Sequence, residues 1–378
     1  MSPIQQYSVH IVRTLSVSQT VKASLIVGVL LAAGQIPAAG QSDGSVAVPF
    51  TFAVSGDSRD CGNIVMPAIA KKVTRDEASF YWHLGDFRAI YKQDEDFKHT
   101  AGPLVKNQEY FEKAWDDFIK NQLLPFGTLP IFLVRGNHET IPPKSKEEYI
   151  SQFADWLNAK SIREQRLMDD PDERALKTYY HWFKGGVDFI SLDNSTTDQF
   201  DDEQAAWLRG VLDRDRNDKN IRAVVVGMHS VLPDSLADSH SMSDSPIGQL
   251  SGRRVYQNLI RLAESAHINV YILASHSSFF MEDVFNTEYW HLHGGVLPGW
   301  IIGTAGAERY RLPEDAALAK QAIADVYGYL LATVSPDGKI SFEFRRVSEE
   351  DVPSDVVVRY SRALVHECFV GNKSTFVP

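Results

Sequence analysis

The sequence predicts an α/β fold whose strands are buried on both faces. Two observations carry the prediction. Short uncharged apolar runs recur along the chain, each ending in a polar or glycine-containing cluster, the pattern of strands covered on both sides. Between several of them, apolar residues repeat with the period of helices that lie on a sheet.

In order, the runs are VPFTFAV before SGDSRD, ASFYWHL before GDFR, LPIFLV before RGNHE, VDFISL before DNS, IRAVVV before GMHS, NVYILA before SHSS and GWII before GTAG. Among the helical segments, EYFEKAWDDFIKNQLL places Phe111, Trp115, Phe118 and Leu123 near one face. EQAAWLRGVL does so with Trp207, Leu208, Val211 and Leu212, and VYQNLIRLAESA with Tyr256, Leu259, Ile260 and Leu262. These stripes read as core packing rather than ligand sites. YGYLLATVSPDGKISFEFRRV reads as a hairpin about Pro336-Asp337-Gly338. Two polar segments, Tyr91 to Gln108 and Pro142 to Lys177, read as insertions after the second and third strand ends, placed to shape a substrate entrance. The second contains a helix-like EEYISQFADWL.

Composition is that of an ordinary globular chain, 44% hydrophobic and 23% charged over 378 residues. The net charge of -11 and the lack of any long Lys/Arg run argue against a nucleic-acid surface, which needs basic patches to displace counterions. At the N-terminus, Arg13 and Lys22 precede ASLIVGVLLAAG, followed by small residues in IPAAGQ with Ala38 or Ala39 at a cleavage point. Residues 1–40 are expected to be a signal peptide, because the apolar run is shorter than the roughly 20 residues a membrane span needs. The expected protein is thus secreted or periplasmic, without a stable membrane anchor. Residues 41–346 read as one domain and 347–378 as a C-terminal extension. Oligomeric state leaves no trace in the sequence. The two cysteines, Cys61 and Cys368, are free to pair in an oxidising compartment, but nothing in the sequence requires it.

In α/β sheets, ligands bind beyond the carboxyl ends of the strands. The clusters there supply Asp57, Asp86, Asn137, His138, His229 and His276. Two carboxylates, an amide oxygen and several imidazoles form a mixed oxygen and nitrogen set suited to zinc, manganese or iron. The two oxygens of Asp86 allow it to bridge ions, and Gly56, Gly85 and Gly136 permit tight turns beside these residues. Singly, each has a plainer explanation, such as an aspartate capping a helix. Their succession in chain order, each after a buried-strand pattern, is what points to a site.

GDSR, GDFR, GNHE, GMHS and SHSS, in that order, resemble the motifs of the calcineurin-like metallophosphoesterases, including the purple acid phosphatase branch. The resemblance runs over about residues 48–346, with FISLDNS, DDEQAAWLRGVL and GWIIGTAGA alongside. It implies a four-layer αββα sandwich with two mixed sheets and a two-metal phosphoesterase site at the strand ends. It further implies that Asp57 ligates a first metal, that Asp86 bridges, and that Asn137, His229 and His276 complete a second. His138 would be no ligand; it would lie over the phosphate, protonating the leaving group or stabilising charge. One or two divalent or trivalent ions (zinc, manganese or iron) and a small phosphorylated substrate are implied, with a phosphomonoester hydrolysed by a metal-bound hydroxide.

The departures from the family pattern fall on the first metal. Arg59 stands where the first motif has a histidine, and an arginine has no free lone pair. Ala89 stands where the purple branch has a tyrosine, with Tyr91 two residues further on. Ser278 stands where the second histidine of the last motif is expected. Three arrangements remain open. The first metal is bound weakly and keeps extra waters; or Arg59 or Arg88 grips the phosphate in a single-metal enzyme; or His83, His240, His291, His293 or Glu282 is recruited. WHLHGG has a spacing that puts two imidazoles on one face of a strand, although it reads better as a polar loop. The expectation is a phosphomonoesterase with Arg59 and His138 as its catalytic residues. The alternatives are a phosphodiesterase or nucleotide hydrolase, or a weakly active homologue that binds a phosphorylated ligand or a partner.

Overall fold

The computed structural model describes residues 48–102 and 104–377, and the expected signal peptide lies outside them. Every apolar run quoted above is a strand. In chain order the elements are β1 (Phe50–Ser55), α1 (Gly62–Arg75), β2 (Tyr81–His83), α2 (Glu95–Ala101), α3 (Asn107–Phe118), β3 (Ile131–Leu133), α4 (Lys146–Gln152), α5 (Ala154–Leu157), α6 (Lys160–Asp169), β4 (Tyr180–Lys184), β5 (Val187–Ser191) and α7 (Asp202–Asn217). They continue with β6 (Ala223–Gly227), α8 (Pro246–Ala266), β7 (Asn269–Ala274), β8 (Phe280–Glu282), α9 (Glu288–Leu292), β9 (Gly299–Ile302), β10 (Gln321–Ile323), β11 (Tyr327–Val334), β12 (Ile340–Val347) and α10 (Ser354–Val370).

The strands form two mixed sheets, β12-β11-β1-β2-β3 and β10-β8-β9-β7-β6-β5-β4. In the first, β1, β2 and β3 are parallel and β11 runs antiparallel to β1. In the second, β5, β6, β7 and β9 are parallel. The sheets pack face to face on an aromatic layer: Trp182 stacks on Phe132 at 3.7 Å and meets Trp82 edge-on at 5.1 Å, while Phe52 meets Phe189 at 5.1 Å. β6 shows why these strands read as uninterrupted apolar runs. Ala223 and Val225 join this inner core, and the alternate Val224 and Val226 join the outer core under α7 and α8. With α1 on the far side of the first sheet, the order of layers is αββα, as the resemblance implied.

The helix starts follow local chemistry. Asp201 accepts the Gln204 N–H at the start of α7, and Ser245 accepts the Gly248 N–H at the start of α8, with Pro246 in the first helical position. The hairpin turns at Pro336-Asp337-Gly338, where Gly338 takes φ +82°. Edge strands β4 and β10, and β8 beside β10, were not foreseen, and the histidine pair of WHLHGG lies in and just after the short helix α9 rather than in a loop or strand. The Pro142–Lys177 insertion folds into α4 to α6, with α5 packed on β3 and α6 on β4. α10, kinked at Ser361, packs on α1 and α2, and Cys368 within it is disulfide-bonded to Cys61 just before α1. Among the described residues, no helix is long and apolar enough to cross a membrane.

Candidate metal centre and active site

The predicted residues come from the carboxyl ends of parallel strands in both sheets: Asp57 after β1, Asp86 after β2, Asn137 and His138 after β3, His229 after β6 and His276 after β7. Asp57, Asp86 and His276 adopt left-handed backbone, with φ of 61°, 60° and 67°. For residues with a Cβ this conformation costs about 1–2 kcal/mol, and it persists where a site demands it. The loops also touch. A Cβ on Gly85, at φ +95°, would lie 2.7 Å from the Gly136 Cα, and a Cβ on Gly136 would lie 2.3 Å from the Asp86 nitrogen. Only glycines let the second and third strand ends meet here.

Four side chains converge on one point. His229 Nε2 lies 3.1 Å from Asp86 Oδ1, 2.9 Å from Asn137 Oδ1 and 3.0 Å from His276 Nδ1. The His229 Nδ1–H donates to the Leu84 carbonyl at 2.8 Å, which leaves Nε2 as the inward nitrogen. Ligand atoms of Asp86, His229 and His276 all fall within 4.8 Å of one another, and all three residues are buried. Burial pulls the His229 pKa down, but Asp86 and Asp57 outweigh it and raise it to about 10. The acceptors thus call for a positive charge at their centre. Asp86 Oδ2 and Asp57 Oδ1 are buried without any hydrogen-bond partner. An amide oxygen, a carboxylate and two imidazoles fit one divalent ion.

Glu139, the last letter of GNHE, organises this centre. Its Oε2 accepts the N–H groups of Asp86 and Gly136 at 2.9 and 2.8 Å, and its Oε1 accepts that of Phe87 at 2.9 Å. One buried carboxylate therefore ties the second strand end to the third. Sequence reasoning missed it, although the motif already held the letter. Asn194 does the same elsewhere, donating to the Ser230 carbonyl at 2.6 Å and accepting the Ser230 N–H at 3.1 Å.

His138 lies just beside the four. Its Nδ1–H donates to the Ala89 carbonyl at 2.6 Å, and its Nε2 faces Asp86 Oδ2 at 3.4 Å. Burial lowers its pKa against the pull of Asp86. The exposed ring of Tyr91 lies 5.2 Å away and, with Lys92, Lys98 and His99, lines a groove of about 820 Å³.

The first-metal side is built differently. Asp57 accepts the His276 N–H at 2.8 Å, and burial together with Asp86 raises its pKa to about 6. The Arg59 side chain, only 4% exposed, donates to the Tyr310 hydroxyl at 2.9 Å and to Asp60 at 3.4 Å, and its Nε stands 3.6 Å from Asp86 Oδ2. Ser278 Oγ is buried with no partner. His83 is engaged with Ser58 and the Gly85 N–H, and burial pushes its pKa down to about 3. His240 lies flat on His276, rings 3.8 Å apart and 18° from parallel, with Nδ1 3.3 Å from Ser277 Oγ. His291, His293 and Glu282 are engaged elsewhere, with Asn286, the Tyr289 carbonyl and Lys320. Arg88 is fully buried, with its guanidinium engaged by Asp94, Asp96 and Asp117. Two carboxylates beside a permanent cation do not fit a second metal ion.

The family model of calcineurin-like phosphoesterases matches residues 52–277, and the chain belongs to this family. No curated protein matches the chain. Similar solved structures include a purple acid phosphatase from yellow lupin (Lupinus luteus) seeds, at 16% identity and a TM-score of 0.49 over 79% of this chain and 52% of that one. The chain thus spans about half the length of the lupin enzyme. GAP50, the anchor in the inner membrane complex of Plasmodium, matches at 13% identity and a TM-score of 0.47 over 87% of this chain and 98% of its own. A dimetal phosphatase from Danio rerio matches at 13% identity and 0.47 over 79% and 96%.

Proposed function

We propose that this protein is a secreted or periplasmic phosphomonoesterase acting on a small phosphorylated substrate, with zinc, manganese or iron held by Asp86, Asn137, His229 and His276. The observation that carries the reading is the convergence of Asp86 Oδ1, Asn137 Oδ1 and His276 Nδ1 on His229 Nε2, at 3.1, 2.9 and 3.0 Å. A divalent ion bound there supplies Lewis acidity, polarising a phosphoryl oxygen and acidifying water. The residues of the chain do the rest. Leu84 and Glu139 fix the ligand orientations. His138, pinned through Nδ1, presents Nε2 to the site and, when protonated there, delivers the proton to the leaving-group oxygen. Arg59 adds positive charge opposite Asp57 and Asp86, which suits a dianionic monoester better than a monoanionic diester. The Cys61–Cys368 disulfide supports an oxidising compartment.

The test is hydrolysis of p-nitrophenyl phosphate and bis(p-nitrophenyl) phosphate by metal-free protein after adding back zinc, manganese or iron. The monoester should be hydrolysed faster, and only with metal. Absence of hydrolysis and of bound metal with every ion would defeat the reading; preference for the diester would reassign the substrate.

A further inference from the structure

The residues on the far side of Asp86 carry a second step, which rests on the metal-site reading above. We propose that the Arg59 guanidinium stands where a second cation would be, so that the protein works with one metal ion per chain and with Arg59 as the fixed charge that meets the phosphate.

The position is built for a guanidinium and not for an ion. Arg59 is almost wholly buried and held from two sides, by the Tyr310 hydroxyl at 2.9 Å and by Asp60 at 3.4 Å. Asp60 is itself fixed by Lys92 at 3.0 Å and by the Glu308 N–H at 3.3 Å. The Arg59 Nε has no hydrogen-bond partner, and neither has Asp86 Oδ2, 3.6 Å away. That distance is too long for a hydrogen bond, so both remain available. A guanidinium has five N–H donors in a planar fork. Tyr310 and Asp60 engage two of its nitrogens, and the free Nε–H leaves a donor for an oxyanion beside the site.

The ligands an ion would need are missing. Asp57 Oδ1 and Asp86 Oδ2 are free acceptors, but Ser278 offers only a neutral hydroxyl, and Ala89 a methyl group. Of the imidazoles nearby, His138 is tied through Nδ1 to the Ala89 carbonyl, and His240, stacked on His276, joins no cluster of ligand atoms with the two carboxylates among the described residues. An ion there would also face a buried arginine that stays charged at any working pH.

Titration of metal-free protein with manganese, followed by calorimetry and electron paramagnetic resonance, reads this directly. One ion per chain with an uncoupled spectrum is expected. Two ions with an exchange-coupled spectrum would overturn the inference and leave the phosphoesterase reading standing. No bound ion would overturn both. A second arm uses inorganic phosphate as the probe on the manganese-loaded protein. Arg59→Gln should keep one ion but weaken phosphate binding and lower kcat, the latter by about 10²–10³-fold, as for loss of one preorganised transition-state donor. Unchanged phosphate affinity in that variant would refute a role for Arg59 at the substrate. Arg59→His combined with Ser278→His should raise the count to two, and a count that stays at one would refute exclusion by the guanidinium.

Discussion

Replacing Arg88 with methionine keeps a long side chain and removes its charge. In the native protein the guanidinium is buried 3.2 Å from Asp94, 3.0 Å from Asp96 and 2.7 Å from Asp117. Asp94 cannot turn away, because it also accepts the Asp60 and Ala89 N–H groups and the Tyr110 hydroxyl. Removing one partner of a buried ion pair costs about 3–5 kcal/mol. For roughly 330 residues unfolding with about 2 cal/mol/K each, that lowers Tm by about 4–7 °C. The sign of the pH dependence follows from the carboxyls. Burial raises Asp96 to about 8 even against the pull of Arg88, and without the guanidinium it rises further. A carboxyl whose folded pKa exceeds its unfolded one loses stability as pH rises between the two values. The deficit of Arg88→Met should therefore be larger at pH 8 than in mild acid. Scanning calorimetry of both proteins at the two pH values reads this. A drop of about 1 °C or less, the size of an ordinary surface change, or a deficit that grows on acidification, refutes the argument. So does a variant with native Tm but lost activity, which would return Arg88 to the phosphate.

Glu139→Gln should weaken metal binding about 10- to 100-fold, because the amide cannot accept all three N–H groups that the carboxylate holds; calorimetric affinity equal to the native protein counts against this. Burial opposes charging of His181, but Asp188 and Asp169 raise it to about 9. Its stabilisation, on the order of 3 kcal/mol, is therefore complete below the unfolded value near 6.5 and lost as pH rises through 9. An NMR titration of the ring, assigned by its loss in His181→Gln, should show that pKa, and a midpoint near 6.5 would contradict it. Replacing Cys61 and Cys368 with serine opens a link between residues 307 apart in sequence and should cost about 2–5 kcal/mol in urea denaturation; an unchanged midpoint would show that packing of α10 alone suffices.

Much of this was legible in the sequence because burial on two faces leaves a mark. The quoted strands, the helices on them and the hairpin have apolar patterns that few other structures produce. The second-metal set was legible because each ligand follows a strand at once, as Asp86 follows Tyr81–His83 and His276 follows Asn269–Ala274. What stayed hidden depends on residues far apart in the chain. Edge strand β4 reads YHWFK, with Phe183 and Lys184 exposed, so it lacks an apolar run. Tyr310 lies 251 residues from the Arg59 it holds. Arg59 and Arg88 look alike in GDSR and GDFR; only three aspartates in or near the following insertion and helix separate their tasks. Cysteine pairing was open because spacing alone does not bring Cys61 and Cys368 together.

The disulfide and the first sheet together govern the order in which the site is completed during synthesis. β1, which leads into Asp57 and Arg59, lies between β2 and β11, and the loop after it is locked by Cys368. During synthesis β1 emerges long before β11 and Cys368. Until then the edge of β1 is unpaired and Cys61 is a free thiol, able to pair wrongly or to be held by a folding helper. Such contacts, distant in sequence, also slow folding. The reactive loop is therefore among the first parts made and among the last secured, so an incompletely synthesised chain carries the ligand letters without a finished centre.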